Sequence, residues 1–176
     1  TGQLLARALR SGARKLWLAV GGSATVDGGV GAAMALGWKF LDRDGAEIGP
    51  GGGELNRIEK ILPPANPQWP PAEVLCDVDN PLCGERGAAR MFSPQKGATP
   101  EMVERLESGL AHLAKLVKAQ LGKDIAEIPG AGAAGGLSAG AAAFLNARLV
   151  SGINTVIAAT GFENELMNAD WVVTGE

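Results

Sequence analysis

Glycine punctuates this chain in short clusters: Gly21-Gly22, Gly28-Gly29, Gly51-Gly52-Gly53 and a run between Gly130 and Gly136. There are 26 glycines in 176 residues, about twice the ordinary share of ~7%. The clusters follow no Gly-X-Y period, which excludes a collagen helix and points to tight backbone loops. Several stand where an apolar run ends. Lys15-Leu-Trp-Leu-Ala-Val20 runs into Gly21-Gly22 and reads as a buried strand. Glu73-Val-Leu-Cys76, a second strand, runs into Asp77-Val-Asp79-Asn-Pro81. Asp170-Trp-Val-Val173, a third, runs into Thr174-Gly175-Glu176.

Helical spacing fills the intervals. Residues 3–11, about 30–36, 100–121, 137–146, 153–159 and 162–168 read as helices. The strongest is 100–121, with Thr99 as N-cap, Pro100 at N1, Glu101 in the first turn and Gly122 as the stop. Its stripe of Val103, Leu106, Leu110, Leu113 and Val117 predicts a packed face, and His112 beside the stripe reads as a partly exposed surface histidine. Residues 39–48 read as a hairpin turning at Asp42-Arg-Asp-Gly45. Residues 49–53 and the proline-rich 63–71 read as loops. Strands alternating with helices imply an α/β fold whose sheet is at least partly parallel.

The chain is 46% apolar and 20% charged, a composition that collapses around a core rather than staying disordered. Its net charge of −3 offers no footprint for nucleic acid or an anionic membrane. No apolar run reaches the roughly 18 residues of a membrane span, and no signal peptide opens the chain. A cytoplasmic protein with free thiols is expected. One histidine and two cysteines, Cys76 and Cys83, argue against zinc; a working metal has to be a hard, oxygen-liganded one such as Mg²⁺. The abrupt start at Thr1 and stop at Glu176, just past a strand-like run, suggest a piece of a longer protein.

Ligands in α/β sheets collect beyond the carboxyl ends of strands, where two segments stand out. In Gly21-Gly-Ser-Ala-Thr-Val-Asp-Gly-Gly29, paired glycines flank Ser23, Thr25 and Asp27 ahead of a helix. Such a loop can aim N–H groups at an anion while Asp27 holds Mg²⁺; a tight turn in which Asp27 only caps the helix is the other reading. In Asp77-Val-Asp79-Asn80 two carboxylates share one side of an extended backbone, as a Mg²⁺ site or general base for phosphoryl transfer requires. An Asx turn before Pro81 is the alternative. Lys96 offers one cation, or a solvated surface charge. Gly130-Ala-Gly-Ala-Ala-Gly135 matches G-x-G-x-x-G, but it lacks a clean preceding strand and an acid about 20 residues on, so a dinucleotide site is set aside. No P-loop pattern occurs.

These segments, with Phe40-Leu-Asp-Arg-Asp-Gly45, Cys76-Asp-Val-Asp-Asn-Pro-Leu82, Pro94-Gln-Lys-Gly-Ala-Thr-Pro100, Gly132-Ala-Ala-Gly-Gly136 and Val173-Thr-Gly-Glu176, resemble the bacterial type I glycerate kinases. The motifs follow that family's order across nearly the whole chain, yet cover only about the middle half of its sequence. The family's N-terminal segment, with its own Asp-Ser-Phe-Lys and Asp-Gly-Gly motifs, and the segment beyond Thr-Gly-Glu have no counterpart here. Cys83 and the proline-rich 63–71 are departures. The resemblance implies ATP-dependent phosphorylation of D-glycerate, mostly to 2-phosphoglycerate, with Mg²⁺. It also implies a two-domain enzyme with the active site in its cleft. Residues 1–170 would form an inserted α/β domain with a mixed sheet, incomplete at its N-terminus, and 171–176 the return into a Rossmann-like domain.

Site residues expected on this basis are Asp77 as the catalytic base; Gly21, Gly22, Ser23, Thr25, Gly28, Gly29, Asn80 and Lys96 for substrate and phosphates; and Asp27 and Asp79 for metal. An NAD(P)-dependent oxidoreductase domain and a non-catalytic fragment are the competing classes. The isolated chain is expected to be weak or inactive.

Overall fold

The computed structural model describes residues 1–175; Glu176, the last residue of the Thr-Gly-Glu motif, lies outside them. Three parallel strands, β1 (Leu16–Ala19), β4 (Ala72–Leu75) and β5 (Arg148–Val150), form a sheet in the order β1-β4-β5. Leu16 sits opposite Ala72 and Ala19 opposite Leu75, while Leu75 pairs with Val150. The strands therefore end in one row. A separate antiparallel pair joins β2 (Lys39–Leu41) to β3 (Lys60–Leu62). The α/β class follows, with the parallel and antiparallel parts in two sheets.

Among the described residues seven α-helices surround this frame: α1 (Gly2–Arg10), α2 (Val30–Ala35), α3 (Ala88–Phe92), α4 (Pro100–Leu121), α5 (Ala133–Leu145), α6 (Gly152–Thr160) and α7 (Phe162–Leu166). Helix α4 has the predicted bounds. Thr99 Oγ1 accepts from the Met102 amide, and Gly122 closes the helix at φ +69°. Leu110, Leu113 and Val117 are fully buried, each contributing about 1.5–3 kcal/mol of burial; Val103 and Leu106 are half-buried. The His112 ring nitrogen meets the Ile58 carbonyl at 2.6 Å and is half-buried. Phe144 of α5 stacks edge-on against Phe40 and tilted against Trp38, which ties the small ladder to the main body.

The hairpin at Asp42–Gly45 forms: the Asp42 amide donates to the Ala46 carbonyl and the Ile48 amide to the Phe40 carbonyl, with an antiparallel bridge from Leu41 to Glu47. Strand β2 pairs with β3 as well. One expectation needs correction. Residues 170–173 are not a strand: Trp171 and Val173 are 88% and 95% exposed, and among the described residues no neighbouring strand pairs with them. Strands β3 and β5 and helix α3, three to five residues each, were not anticipated; elements this short carry too few residues for a period to register.

On the second face of the sheet, Trp17, Glu73 and Arg148 share one register row. Glu73 accepts from Lys15 (2.8 Å), Trp17 Nε1 (2.9 Å) and Arg148 (2.6 Å). These donors, Lys15 foremost, hold its carboxyl near a pKa of about 2, well below the usual range. A depressed folded-state value stabilises the fold above the unfolded pKa, and the contribution disappears as pH falls through the folded one. Glu73→Gln is therefore expected to lower the melting temperature at pH 7, with the difference from wild type shrinking between about pH 4.5 and pH 2; thermal melts across that range check it.

Candidate active site

Because β1, β4 and β5 end together, the segments that follow them emerge side by side at the carboxyl edge of the sheet. The Val20 amide still bonds the Leu75 carbonyl and the Cys76 amide the Val150 carbonyl, so the first residue of each loop is held in register. From that row grow the 21–29 loop, the 76–81 turn and Ser151, the N-cap of α6.

A third segment fastens the first two together. The Gly28 amide donates to the Gly135 carbonyl at 3.1 Å and the Gly132 amide to the Asn80 carbonyl at 2.9 Å. A Cβ on Gly135 would overlap the Thr25 carbonyl oxygen, one on Gly132 the Pro81 carbonyl oxygen, and one on Gly140 the Gly28 carbonyl oxygen. Ala134, Gly135 and Gly136 all take left-handed φ/ψ at the start of α5. For Ala134 that conformation costs about 1–2 kcal/mol. The G-x-G-x-x-G pattern thus serves packing of backbone on backbone.

The predicted residues fall into four places. Gly21, Gly22, Ser23 and Lys96 line a cavity of about 180 Å³, with Phe92 and Ala134 among its walls and Val78 at its edge. Lys96, on a 3₁₀ turn (Pro94–Lys96), donates to Ser23 Oγ at 2.7 Å and to the Thr25 carbonyl at 2.8 Å. Burial pulls its pKa down, with the Asp27 charge acting in the opposite sense. Asp77, Asp79 and Asn80 line a neighbouring open groove of about 620 Å³, which Val78 shares. Thr25 and Asp27 open instead on a cavity of about 440 Å³ beside Gly2 and Pro50. Gly28 and Gly29 are buried against Leu113 of α4 and Gly140 of α5, as packing positions.

Each carboxylate has defined partners. Asp27 Oδ1 accepts from the Gly29 amide and Oδ2 from the Gly31 amide, both at 3.0 Å, which caps α2. Asp77 Oδ1 accepts from Ser151 Oγ (3.0 Å), the Gly152 amide (2.9 Å) and the Ile153 amide (3.3 Å), leaving Oδ2 with the Ile153 amide at 3.2 Å. Asp79 pairs with Arg86 at 2.6 Å, and Asn80 Nδ2 donates to the Arg86 carbonyl. Sequence reasoning did not find Ser151, Val78, Phe92 or Arg86; only Ser151 carried a signal, as a serine immediately before a helical run. The nearby Cys83 thiol is pushed up to about 12 by burial, then by Glu107 and Glu127, and is unreactive as a nucleophile. Among the described residues no group of three or more His, Cys, Asp or Glu side chains could hold a metal. Mg²⁺ keeps several waters and needs only one or two carboxylates beside substrate phosphates, so the Asp79 and Asp27 carboxylates remain compatible with it.

Loops at the carboxyl edge of a parallel sheet are where ligands of α/β folds collect, and the glycine-braced loops here occupy that edge. The model of the glycerate kinase family matches residues 1–176, and the chain belongs to that family. It is 49% identical over its whole length to the glycerate kinase of Halalkalibacterium halodurans and 46% identical to the glycerate 2-kinase of Escherichia coli K12, in each case covering 47% of the relative. A crystal structure from Salmonella typhimurium LT2, provisionally named glycerate kinase 2, superposes with a TM-score of 0.90 at 42% identity over 96% of this chain and 46% of that one. The chain spans about half the length of the curated relatives it matches.

Two alanine substitutions separate backbone strain from packing. Gly135→Ala, at φ +68° with its Cβ against Thr25, is expected to cost about 2–4 kcal/mol. Gly45→Ala, at φ +79° in open space, is expected to cost only about 1 kcal/mol. Urea unfolding of both variants measures the difference.

Proposed function

We propose that this chain is the part of an ATP-dependent glycerate kinase that carries most of its acceptor site, acting on D-glycerate to give 2-phosphoglycerate in the cytoplasm. The observation that carries the reading is the juxtaposition of the Lys96–Ser23 cavity and the Asp77–Asn80 groove across Val78. The name of the Escherichia coli relative supports the 2-position. Among the described residues no helix is long and apolar enough to cross a membrane. We assign residues 1–170 to the inserted domain and 171–176 to the return into a Rossmann-like domain. The assignment is supported by the end of regular structure after α7 and the exposure of Trp171 and Val173.

In this reading the glycerate hydroxyl oxygen attacks the γ-phosphorus of ATP, the bond from that phosphorus to the ADP oxygen breaks, and the hydroxyl proton passes to Asp77. Asp77 Oδ2, with one amide at 3.2 Å, is the oxygen with capacity to accept it. Ser151 and the first amides of α6 fix the carboxylate. The anionic substrates are held by Gly21, Gly22, Ser23, Asn80 and Lys96, while Thr25, which opens on the separate cavity, acts only through its carbonyl on Lys96. Asp79 shares the groove with Asp77, whereas Asp27 opens on a separate cavity, so Asp79 is the carboxylate assigned to Mg²⁺. When bound, the ion neutralises phosphate charge.

In a coupled ADP-release assay, the complete gene product is expected to turn over D-glycerate and not L-lactate. Asp77→Asn keeps the shape of the α6 cap but removes the base, and kcat is expected to fall by about 10²-fold or more. An unchanged kcat would remove Asp77 from that role.

A further inference from the structure

Within the glycerate kinase reading, we propose that the Lys96–Ser23 cavity takes the carboxylate of the acceptor acid, and that the phosphates of the donor nucleotide lie in the adjoining Asp77–Asn80 groove. Size separates the two spaces. Pockets for drug-sized ligands run to roughly 300–1,000 Å³. The groove, at about 620 Å³, falls within that range and the cavity, at about 180 Å³, below it. A three-carbon acid suits the smaller space, and a nucleoside triphosphate does not.

The charges agree with the sizes. Lys96 is half-buried and held at a fixed place by Ser23 Oγ and the Thr25 carbonyl. These two acceptors use two of the three ammonium protons and leave one for a ligand. Lys15, Lys39 and Lys118 all form ion pairs with carboxylates. Among the described residues Lys96 touches no carboxylate, as Lys123 does not either, and only the more distant Asp27 charge acts on it, so a partly desolvated cation in a cavity wall has a place for an incoming anion. It is a single point charge, matched to one carboxylate; a triphosphate calls for several cations or a metal.

The remaining walls fit an organic acid. Gly21, Gly22 and Ser23 line the cavity, and among the described residues their amides donate to no protein acceptor. Phe92, Val78, Ala133 and Ala134 supply apolar surface for a carbon skeleton.

The test uses Lys96→Met and Ser23→Ala in the complete gene product, with KM measured separately for D-glycerate and ATP. The thermal shift given by D-glycerate is also compared with that given by its neutral isostere D-glyceramide and by ATP. Lys96→Met is expected to raise KM for D-glycerate about 10- to 150-fold, the range for losing a hydrogen bond to a charged group, and to leave KM for ATP within about twofold. Its glycerate-induced thermal shift should vanish while the ATP-induced shift persists. Ser23→Ala should move the same two quantities less far, and it carries the test if Lys96→Met does not fold. A rise in KM for ATP, or no change in either constant, overturns the assignment. If the wild-type protein releases no ADP with D-glycerate, the kinase reading itself has failed. The cavity assignment then stands or falls on whether small 2-hydroxy acids, and not their amides, shift the melting temperature through Lys96.

Discussion

The backbone of residues 130–140, bare of side chains where it matters, lies directly on two loops from distant parts of the chain. Gly135 touches Thr25, Gly132 touches Pro81 and Gly140 touches Gly28, each at a separation that leaves no room for a methyl group. Amide-to-carbonyl bonds to Asn80 and from Gly28 fix the register of both contacts. The placement of Ser23 relative to Val78, and hence the shape of the cavity between them, depends on this three-way seam. Glycine at 132, 135 and 140 follows from that need: a close approach of backbones tolerates no Cβ.

Around the seam, polar groups are used economically. Asp27 closes its own turn, Asp77 anchors α6, and Asp79 and Asn80 gather Arg86. Each acid expected to do chemistry also has a structural hydrogen bond. Such double use positions a carboxylate firmly, since its rotamer is set by partners before any ligand arrives. Lys96 has neutral acceptors only, and unlike Lys123, which is bonded the same way, it lines the cavity beside Ser23.

How much of this the amino-acid order discloses varies with the length of the signal. Helix α4 was legible to the residue because a cap, an N1 proline, a five-residue stripe and a closing glycine all agree. Strands β1 and β4 were legible because apolar runs met glycine or aspartate. Strand β5, three residues after the left-handed Asn146, shows no period, and the supposed strand at 170–173 has the composition of one without a neighbour to pair with. Within the site, the two loops could be recognised separately. Their adjacency could not, because it is set by the parallel register of strands 56 positions apart. The bonds from α6 to Asp77 span 74 to 76 positions and were equally hidden. Gly28 and Gly29 misled for a related reason: glycine that frees a loop and glycine that admits a helix look alike in one sequence.

The long reach of the 130–140 seam also sets an order of assembly. Sheet pairing between β4 and β5, and every contact of Gly135 or Gly140 with the first loop, must wait until residues 130–150 have followed the first loop and β4 out of synthesis. Non-local pairings of this kind slow folding, since the entropy of closing a large loop is lost before any contact repays it. On the ribosome, α1 and α2 therefore emerge with their apolar faces uncovered, and the corner around Ser23 and Val78 takes shape only after the 130–140 segment has emerged.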